Sequence, residues 1–405
     1  CHACRSFAGM GGLTRIWALV TIMSVAAPAP PDMGPLTPHP QNPRYFRDGD
    51  GQAVYLTGSH TWNNLQENWS TTYPVIFDFE GYLDFLDSYN HNYIRLWRAE
   101  MPEYRYDGAD AMTTTWPHPW ARTGPGTAGD GEPKFNLNTF DNAYFNRLRE
   151  RCLAARERGI YVCIMLFEGH ALQFTAQGWH SHPFKLGNNV NGINGDPNND
   201  GRGVGTHTLG NDDVLNYQKA YIRKVIDTVN DLDNVLYEIS NESHANSLDW
   251  QRHLIDSIQS YQASKPQQHP VVLSTPFPNA QGGAIWNSNA DAVAPGNADG
   301  PYGDIPPPAN GDKVIIVDSD HLFGCGGHAD WVWKSFARGL NPIYMDSYYA
   351  DGHGCSPPME GMRVAMGATR PSPRCSRRAA TARSSSTATR CAASSRSRRA
   401  TAAGS

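Results

Sequence analysis

Apolar residues follow two alternating patterns along most of the chain. Short runs of consecutive apolar residues, typical of strands buried on both faces, alternate with segments in which apolar residues recur every three or four positions, as in amphipathic helices. The pattern predicts eight strands between residues 53 and 345. They cover residues 53–57, 92–97, 160–167, 234–239, 269–274, 290–294, 313–317 and 342–345.

Helical spacing occurs between most of these strands, and a glycine, Gly159 or Gly339, follows two of the predicted helices. Eight buried strands that alternate with helices or other crossovers predict an α/β fold, specifically a single-domain (β/α)8 TIM barrel over residues 42–366. An open, doubly wound sheet is the alternative, but no phosphate-binding glycine motif follows the first strand. The predicted helices cover residues 79–89, 140–158, 212–229, 248–264 and 329–338.

The N-terminal residues have the layout of an export signal. After an upstream segment, residues 1–9, Met10 opens a run with one arginine, an apolar stretch over residues 16–27 and small residues at its end. The apolar stretch is short for a membrane span. We therefore expect a cleaved signal peptide, a proline-rich linker over residues 28–41, secretion and no stable membrane partner. An N-terminal membrane anchor is the alternative.

The C-terminal residues 367–405 differ in composition from the rest of the chain. From Arg370 onwards there are nine arginines and no acidic residue, and Ser, Ala and Thr dominate. Such a segment buries too little apolar surface to fold. It is either a disordered basic tail or the product of a reading-frame error that replaced a closing helix, and we favour the error. Without it the net charge falls from −5 to about −14, which argues against nucleic acid as a partner.

Four of the eight cysteines lie within the predicted barrel. Cys152 and Cys163 fall in an apolar helix and an apolar strand, where free buried thiols are expected. Cys325 and Cys355 fall in loops and could form a disulfide bond in an oxidising compartment.

Ionisable residues follow several of the predicted strands. The C-terminal strand ends of such a barrel carry its reactive groups. Glycoside hydrolysis needs two carboxyl groups across one sugar ring, and the ends of strands four and seven supply Glu242 and the pair Asp318 and Asp320. The two aspartates point the same way if the strand continues through them. We favour Asp320 over Asp318 as the partner of Glu242, with Glu168 and Asp346 as further alternatives.

Several segments resemble a known class of barrel enzymes. Asn241-Glu242 at the end of strand four is similar to the Asn-Glu pair of the clan A glycoside hydrolases, and Asn92-Tyr-Ile-Arg95 resembles their strand-two motif. The segments NPRYFRDGDGQAVYLTGSHTW, VIIVDSDHLFG and WVWKSFARGLNPIYMDSY are similar to bacterial apiosidase-like and cellulase-like proteins, and the resemblance spans residues 42–366.

The resemblance implies roles for individual residues. Glu242 would be the acid/base, Asn241 a sugar contact and Arg95 the residue that orients the nucleophile, with retention of configuration. One departure is that the clan normally ends strand seven with a glutamate, whereas this chain has Asp318 and Asp320 there. A shorter side chain leaves room for a water molecule, so an inverting mechanism stays open.

Aromatic residues and histidines near the strand ends are candidate substrate contacts. Tryptophan and tyrosine rings stack on sugars, but they also fill cores, and core packing is the alternative for each. Three of the histidines could instead ligate zinc, although none has the spacing of a helical metal pair. The candidate contacts are His60, Trp62, Trp97, His170, Trp179, His321 and Tyr348.

A long polar loop over residues 168–210 contains half of a calcium-loop pattern. Asp196, Asn198 and Asp200 alternate and are followed by Gly201, as oxygen ligands and a turn glycine do in such loops. Position twelve would be His207 rather than a bidentate glutamate. The segment therefore predicts either a structural calcium site or a plain Asx-rich turn.

Taken together, these patterns predict a secreted glycosidase that cleaves O-glycosidic bonds in polysaccharides or their side chains and requires no cofactor. Its partner would be a carbohydrate. A non-catalytic carbohydrate-binding barrel is the main alternative, and a metal-dependent hydrolase is the third hypothesis.

Overall fold

The structure is a computed structural model that describes residues 33–69, 76–105, 111–175, 177–278, 283–309, 312–346, 348 and 359–371. The predicted signal peptide, most of the basic tail and Cys355 lie outside these residues. Residues 28–32 of the predicted linker also lie outside them.

Eight parallel strands form a (β/α)8 barrel, which confirms the predicted fold. Each strand pairs with its sequence neighbour from β2 to β8, and β8 pairs in turn with β1. The strands are β1 Gly58–His60, β2 Tyr93–Leu96, β3 Tyr161–Glu168, β4 Val235–Asn241, β5 Val271–Ser274, β6 Ala292–Ala294, β7 Val314–Asp318 and β8 Asn341–Met345.

The barrel closes between β1 and β2 without a strand ladder among the residues described. Hydrogen bonds bridge this seam instead: among them, the Asn92 backbone N–H donates to the Thr57 carbonyl at 2.9 Å and the Thr57 N–H donates to the Asn92 side chain at 3.0 Å. The strands approach closely here, so that a Cβ atom on Gly58 would lie 2.2 Å from the Tyr93 carbonyl oxygen. Glycine is therefore required at the start of β1.

Alternate residues of each strand face the helices or the barrel interior. In β2, Ile94 and Leu96 belong to the large apolar cluster between strands and helices, whereas Tyr93 belongs to a second cluster inside the barrel. Arg95 also alternates inwards, together with Glu238 of β4 and Asp318 of β7, which it contacts. The interior is thus apolar near the beginning of the strands and ionic near their ends.

Eight helices surround or flank the strands in the part of the chain that the structure describes. Five were predicted from apolar spacing, and the structure confirms them with ends that differ by a few residues. The helices are α1 Phe79–Ser88, α2 Asn142–Glu157, α3 His170–Phe174, α4 Asp212–Val229, α5 Leu248–Gln262, α6 Asp320–Phe323, α7 Ala329–Ala337 and α8 Met359–Thr369. None of them is long and apolar enough to span a membrane.

The first predicted strand, residues 53–57, is placed wrongly. Ala53–Val54 instead pairs antiparallel with Phe46–Arg47, which pairs in turn with Thr37–Pro38. Phe46 and Val54 pack against the interior apolar cluster, so this small sheet covers the N-terminal end of the barrel. The barrel strand follows it directly, as Gly58–His60.

The fold extends beyond both predicted boundaries of residues 42–366. Met33 and Leu36, which the sequence placed in the linker, are buried in the interior cluster. At the other end α8 continues to Thr369, whose hydroxyl accepts a hydrogen bond from Tyr55 at 3.0 Å. Composition missed both segments because each buries only a few side chains.

The loops after β1 and β2 also hold strands that the sequence did not predict. One sheet joins Glu67–Trp69, Glu103–Tyr104 and Thr113–Trp116, and a hairpin joins Trp120–Thr127 to Pro133–Phe140. Glycine, proline and threonine obscure the alternation of these strands, and the sequence therefore predicted a loop.

We expect Gly58→Ala to lower the free energy of unfolding by about 2 kcal/mol or more, because the new methyl group overlaps the β2 backbone. Urea unfolding measures the change. Gly361→Ala in α8 is the matched control. A Cβ at Gly361 would lie 3.9 Å from its nearest neighbour, the Ala329 side chain of α7, which is an ordinary van der Waals contact, and alanine should stabilise α8 by about 0.5–1 kcal/mol. Equal effects of the two substitutions would contradict the close packing at Gly58.

Candidate active site

A cavity of about 410 Å³ opens at the C-terminal end of the barrel. Residues from the ends of β2, β3, β4, β7 and β8 line it, so groups that are far apart in the sequence converge there. Among them are the predicted site residues Trp62, Trp97, His170, Asn241, Glu242 and Asp320. Glu168, one of the alternative carboxylates, also lines the cavity.

Arg95 connects the buried polar side chains at the base of this cavity. Its Nε and Nη2 atoms donate to the two carboxylate oxygens of Glu238, both at 2.7 Å. Nη1 donates to Asp318 at 2.9 Å and lies 3.4 Å from Asp320, and Nη2 also donates to the Asn241 side-chain oxygen at 2.8 Å. One buried guanidinium therefore positions residues of β4 and β7 together.

Asp318 and Asp320 differ in their surroundings. Strand β7 ends at Asp318 and α6 begins at Asp320, so the condition under which the two aspartates would point the same way is not met. Asp318 is fully buried, and its oxygens accept from His60 Nε2, Arg95 and the Asp320 backbone N–H. Burial alone would raise the pKa of Asp318, but His60 and Arg95 outweigh it and hold that pKa well below its usual range. Of the two, only Asp320 lines the cavity.

Glu242 follows β4 with its backbone in the left-handed region, at φ 44°. This conformation is costly for a residue with a side chain, and such residues are concentrated at functional sites. The Gln173 side-chain amide donates to the Glu242 carbonyl at 2.6 Å. Gly169 packs so closely that a Cβ there would lie 2.4 Å from the Ser243 Cα. These contacts hold the unusual backbone in place.

The Glu242 carboxyl group is nearly buried. Burial raises its pKa well above the usual value, and the neighbouring charge of Asp320 raises it further. Its nearest basic neighbour is His170 Nε2, 3.8 Å away, and burial lowers the pKa of that histidine. Glu242 is therefore suited to carry a proton near neutral pH.

Glu168, at the end of β3, is a third carboxyl group in the cavity. Burial raises its pKa to about 8, although backbone N–H groups of Ala171 and His170 donate to its oxygens and oppose the shift. Because these two bonds cap α3, Glu168 also has a structural role in the turn beside Glu242.

His60 and Trp97 form a chain behind the cavity. The Trp97 indole N–H donates to His60 Nδ1 at 2.9 Å, and His60 Nε2 donates to Asp318 at 2.9 Å. His60 has no exposed surface, so its predicted role as a sugar contact is wrong. Trp97 lines the cavity, and the Arg95 guanidinium lies 4.9 Å from the centre of its ring.

Three further predicted contacts lie outside this cavity. His321 hydrogen-bonds Asn241 Oδ1 at 3.2 Å and lines an adjoining cavity. Trp179 packs against Gly203 and His182 and lines a different cavity beyond α3. Tyr348 packs on the rings of Tyr82 and Phe85 of α1. For Trp179 and Tyr348 the core-packing alternative describes the structure better.

The segment predicted as half a calcium loop forms a turn closed on itself. Both oxygens of Asp196 accept backbone N–H groups, from Asp200 and Gly201, and the Asn198 amide donates to Asp200 at 3.1 Å. Oxygens engaged in this way favour the Asx-rich turn, the second of the two interpretations.

Ligand atoms of Asp318, Asp320 and His321 lie within 4.8 Å of one another, as in a metal site. The Arg95 guanidinium already bonds both aspartates. A divalent cation would have to share these oxygens with a buried positive charge, so the geometry does not favour the metal-dependent hydrolase.

Two carboxylates of the buried network were not among the predicted site residues. Glu238 interrupts the otherwise apolar start of β4, and a buried charge in such a strand is the signal that could have revealed it. Glu100 follows β2, and the ring nitrogens of His207 and His182 lie 3.0 and 3.5 Å from its oxygens. Glu100 thereby fixes the long loop after β3 to the barrel. Cys325, which lines the cavity, is disulfide-bonded.

The fold and this site define a (β/α)8 barrel with acidic side chains at its C-terminal end, and comparisons with known proteins agree on the fold. A family model described as a domain of unknown function, DUF6298, matches residues 87–278. No curated protein matches the sequence.

The structure is similar to that of a candidate glycoside hydrolase from Bacteroides vulgatus, with 14% identity, a TM-score of 0.50 and coverage of 82% of this chain. A glycoside hydrolase family 5 protein from the same organism has 12% identity, a TM-score of 0.43 and coverage of 78%. The chain spans only 57% and 63% of these two proteins. An endo-1,4-β-mannanase from Eisenia fetida has 12% identity and a TM-score of 0.49. The match covers 83% of this chain and 95% of the mannanase chain. At 14% identity and a TM-score of 0.50, the likeness to the first of these proteins shows a shared fold alone.

We expect Arg95→Met to destabilise the protein by about 3–5 kcal/mol, because it leaves buried carboxylates without their counter-charge. The double variant Arg95→Met/Glu238→Gln should recover part of this loss, because it removes one of the orphaned charges. Urea unfolding of the single and double variants measures the coupling. Additive losses would show that Arg95 and Glu238 act independently.

Glu242→Gln should raise the stability of the protein more at pH 8 than at pH 4. A carboxyl group whose pKa is raised by folding contributes stability that is present below its unfolded pKa, about 4.3, and is lost as pH rises through the folded pKa. Glutamine removes this loss. Urea unfolding at both pH values measures the difference, with the exposed Glu150→Gln as control. A pH-independent difference would contradict the raised pKa.

Proposed function

We propose that the protein is a glycoside hydrolase that cleaves O-glycosidic bonds in a polysaccharide or its side chains. One observation carries the proposal: the buried Glu242, with its raised pKa, and Asp320, paired with Arg95, line the same cavity from the ends of β4 and β7. A proton donor and a carboxylate facing one sugar-sized space are the minimum machinery for this reaction.

In the proposed mechanism Glu242 protonates the leaving oxygen as Asp320 attacks the anomeric carbon. The bond from that carbon to the leaving oxygen breaks, and a covalent glycosyl–enzyme ester forms with inversion. Glu242, now ionised, then takes a proton from a water molecule whose oxygen attacks the same carbon and releases Asp320. The configuration is retained overall, as the resemblance to clan A implies.

Arg95 and Asn241 prepare the site for this reaction. The positively charged Arg95 guanidinium lies 3.4 Å from the Asp320 carboxylate and holds that carboxylate in position. The Asn241 side-chain oxygen accepts from both Arg95 and His321, so its orientation is fixed and its amide nitrogen is the group that donates. We assign that nitrogen to a sugar hydroxyl next to the reacting carbon. Trp62 and Trp97, in the cavity wall, supply stacking surface.

The proposal includes secretion, because residues 10–27 have the pattern of a signal peptide. It also includes a carbohydrate rather than a nucleic acid as the partner, because the chain without its basic tail carries a net negative charge. No cofactor enters the mechanism, since both proton transfer and nucleophilic attack come from side chains.

We expect Glu242→Gln and Asp320→Asn each to lower turnover about 10³-fold or more, because each removes one half of the carboxylate pair. Hydrolysis is measured on a panel of 4-methylumbelliferyl glycosides and plant polysaccharides, and NMR of the first product identifies its anomer. Glu150→Gln should retain full activity.

Polysaccharide binding and circular dichroism of the same variants serve as controls for folding. Binding without turnover by the wild type would support the non-catalytic barrel instead. Activity lost to chelators would support the metal-dependent hydrolase.

A further inference from the structure

A second cavity, of about 450 Å³, lies on the other side of Glu242. Glu242 lines both cavities, whereas Asp320 lines only the first. The proton donor therefore stands between two spaces, and the attacking carboxylate is in one of them. The loops after β5 and β6 form most of the second space, through residues such as Thr275, Phe277 and Asn297.

This arrangement gives the substrate a direction. The sugar whose anomeric carbon reacts must contact the carboxylate that attacks it, so it occupies the first cavity with Asp320. The oxygen that leaves must contact the proton donor. The group attached to that oxygen therefore extends past Glu242 into the second cavity.

The second cavity has an exposed aromatic surface. Phe277, in its wall, is 41% exposed, and Phe174 of α3, which is 38% exposed, packs edge to face against it with ring centres 5.8 Å apart. Two adjoining exposed phenylalanines leave apolar surface in water, and that cost is removed when a ligand with an apolar face covers them. Sugar rings and flat aglycones both have such a face.

The Phe277 backbone is fixed relative to the proton donor. The Gln173 side-chain amide donates to the carbonyl oxygens of both Glu242 and Phe277, at 2.6 and 3.0 Å. The Phe277 N–H donates to the Ser243 carbonyl at 2.8 Å. These bonds join the loops after β3, β4 and β5, so a ring bound at Phe277 is held in register with Glu242.

The geometry points to Phe277 as the residue that binds the leaving group, a sugar unit or aglycone with an apolar face, in the second cavity. This inference rests on the proposed function and adds to it the side of Glu242 on which the departing group lies. It makes Phe277 a substrate-binding residue for the leaving group and not part of the carboxylate chemistry.

The test compares two substrates of the same sugar, a 2,4-dinitrophenyl β-glycoside and the β-glycosyl fluoride. Neither leaving group needs a proton, but the dinitrophenyl ring fills the second cavity and fluoride does not. Pairs are measured for glucose, mannose, galactose and xylose. We expect Phe277→Ala to lower kcat/KM for the dinitrophenyl glycoside roughly tenfold and to leave the fluoride within about twofold.

Two variants accompany the measurement. Phe277→Tyr keeps the ring and should retain most of the activity on the dinitrophenyl glycoside. Trp333→Ala removes an exposed aromatic residue of α7 that lines neither cavity, and it should change neither substrate.

Equal losses on both substrates, or no loss on either, would overturn the assignment of Phe277 while leaving the glycosidase proposal intact. A wild-type protein that hydrolyses no substrate pair and no polysaccharide would instead overturn the proposed function, and the assignment of Phe277 would fall with it.

Discussion

The burial of one guanidinium, that of Arg95, is the constraint on which the polar end of the barrel depends. A positive charge inside a barrel is tolerated only when carboxylates and hydrogen-bond acceptors surround it. Glu238 accepts hydrogen bonds from the Nε and Nη2 atoms of the guanidinium. Asp318 and Asp320 both accept from Nη1, and the Asn241 side-chain oxygen accepts a further bond from Nη2. The same interactions that neutralise the charge therefore set the positions of the residues that face the cavity. Stability and site geometry have one source here.

The site also contains features that oppose stability. Glu242 combines a left-handed backbone with a buried carboxyl group, and both are unfavourable on their own. The surrounding contacts, from Gln173 and the close approach of Gly169, are what a strained residue needs in order to persist. A glycine or an asparagine at this position would adopt the left-handed backbone at lower cost, and neither would bury a carboxyl group. The strained backbone and the buried carboxyl group fit the proton-donor role that we propose for Glu242.

Apolar patterning was sufficient to predict the barrel, because seven of its eight strands are buried runs that local sequence identifies. It failed at β1, where Gly58–His60 carries no apolar signal and pairing with β8 decides the structure. Glu242 and Asp320 could be found because they follow strong strands. The sequence could not show that Asp320 lines the cavity whereas Asp318 is buried, since this difference depends on where β7 ends and α6 begins. His60 was misassigned because residue type alone does not distinguish a side chain that lines a cavity from one that is buried behind it.

The seam between β1 and β2 has a consequence for how the chain completes its fold. Helix α8 covers that seam: the Asn90 side chain donates to the Gly367 carbonyl at 3.0 Å, and His91 donates to the Arg363 carbonyl at 3.0 Å. The segment that seals the cylinder is thus among the last of the barrel to be synthesised. Contacts between residues that lie 272 and 277 positions apart therefore cover the seam, and the two ends of the barrel domain complete its closure together.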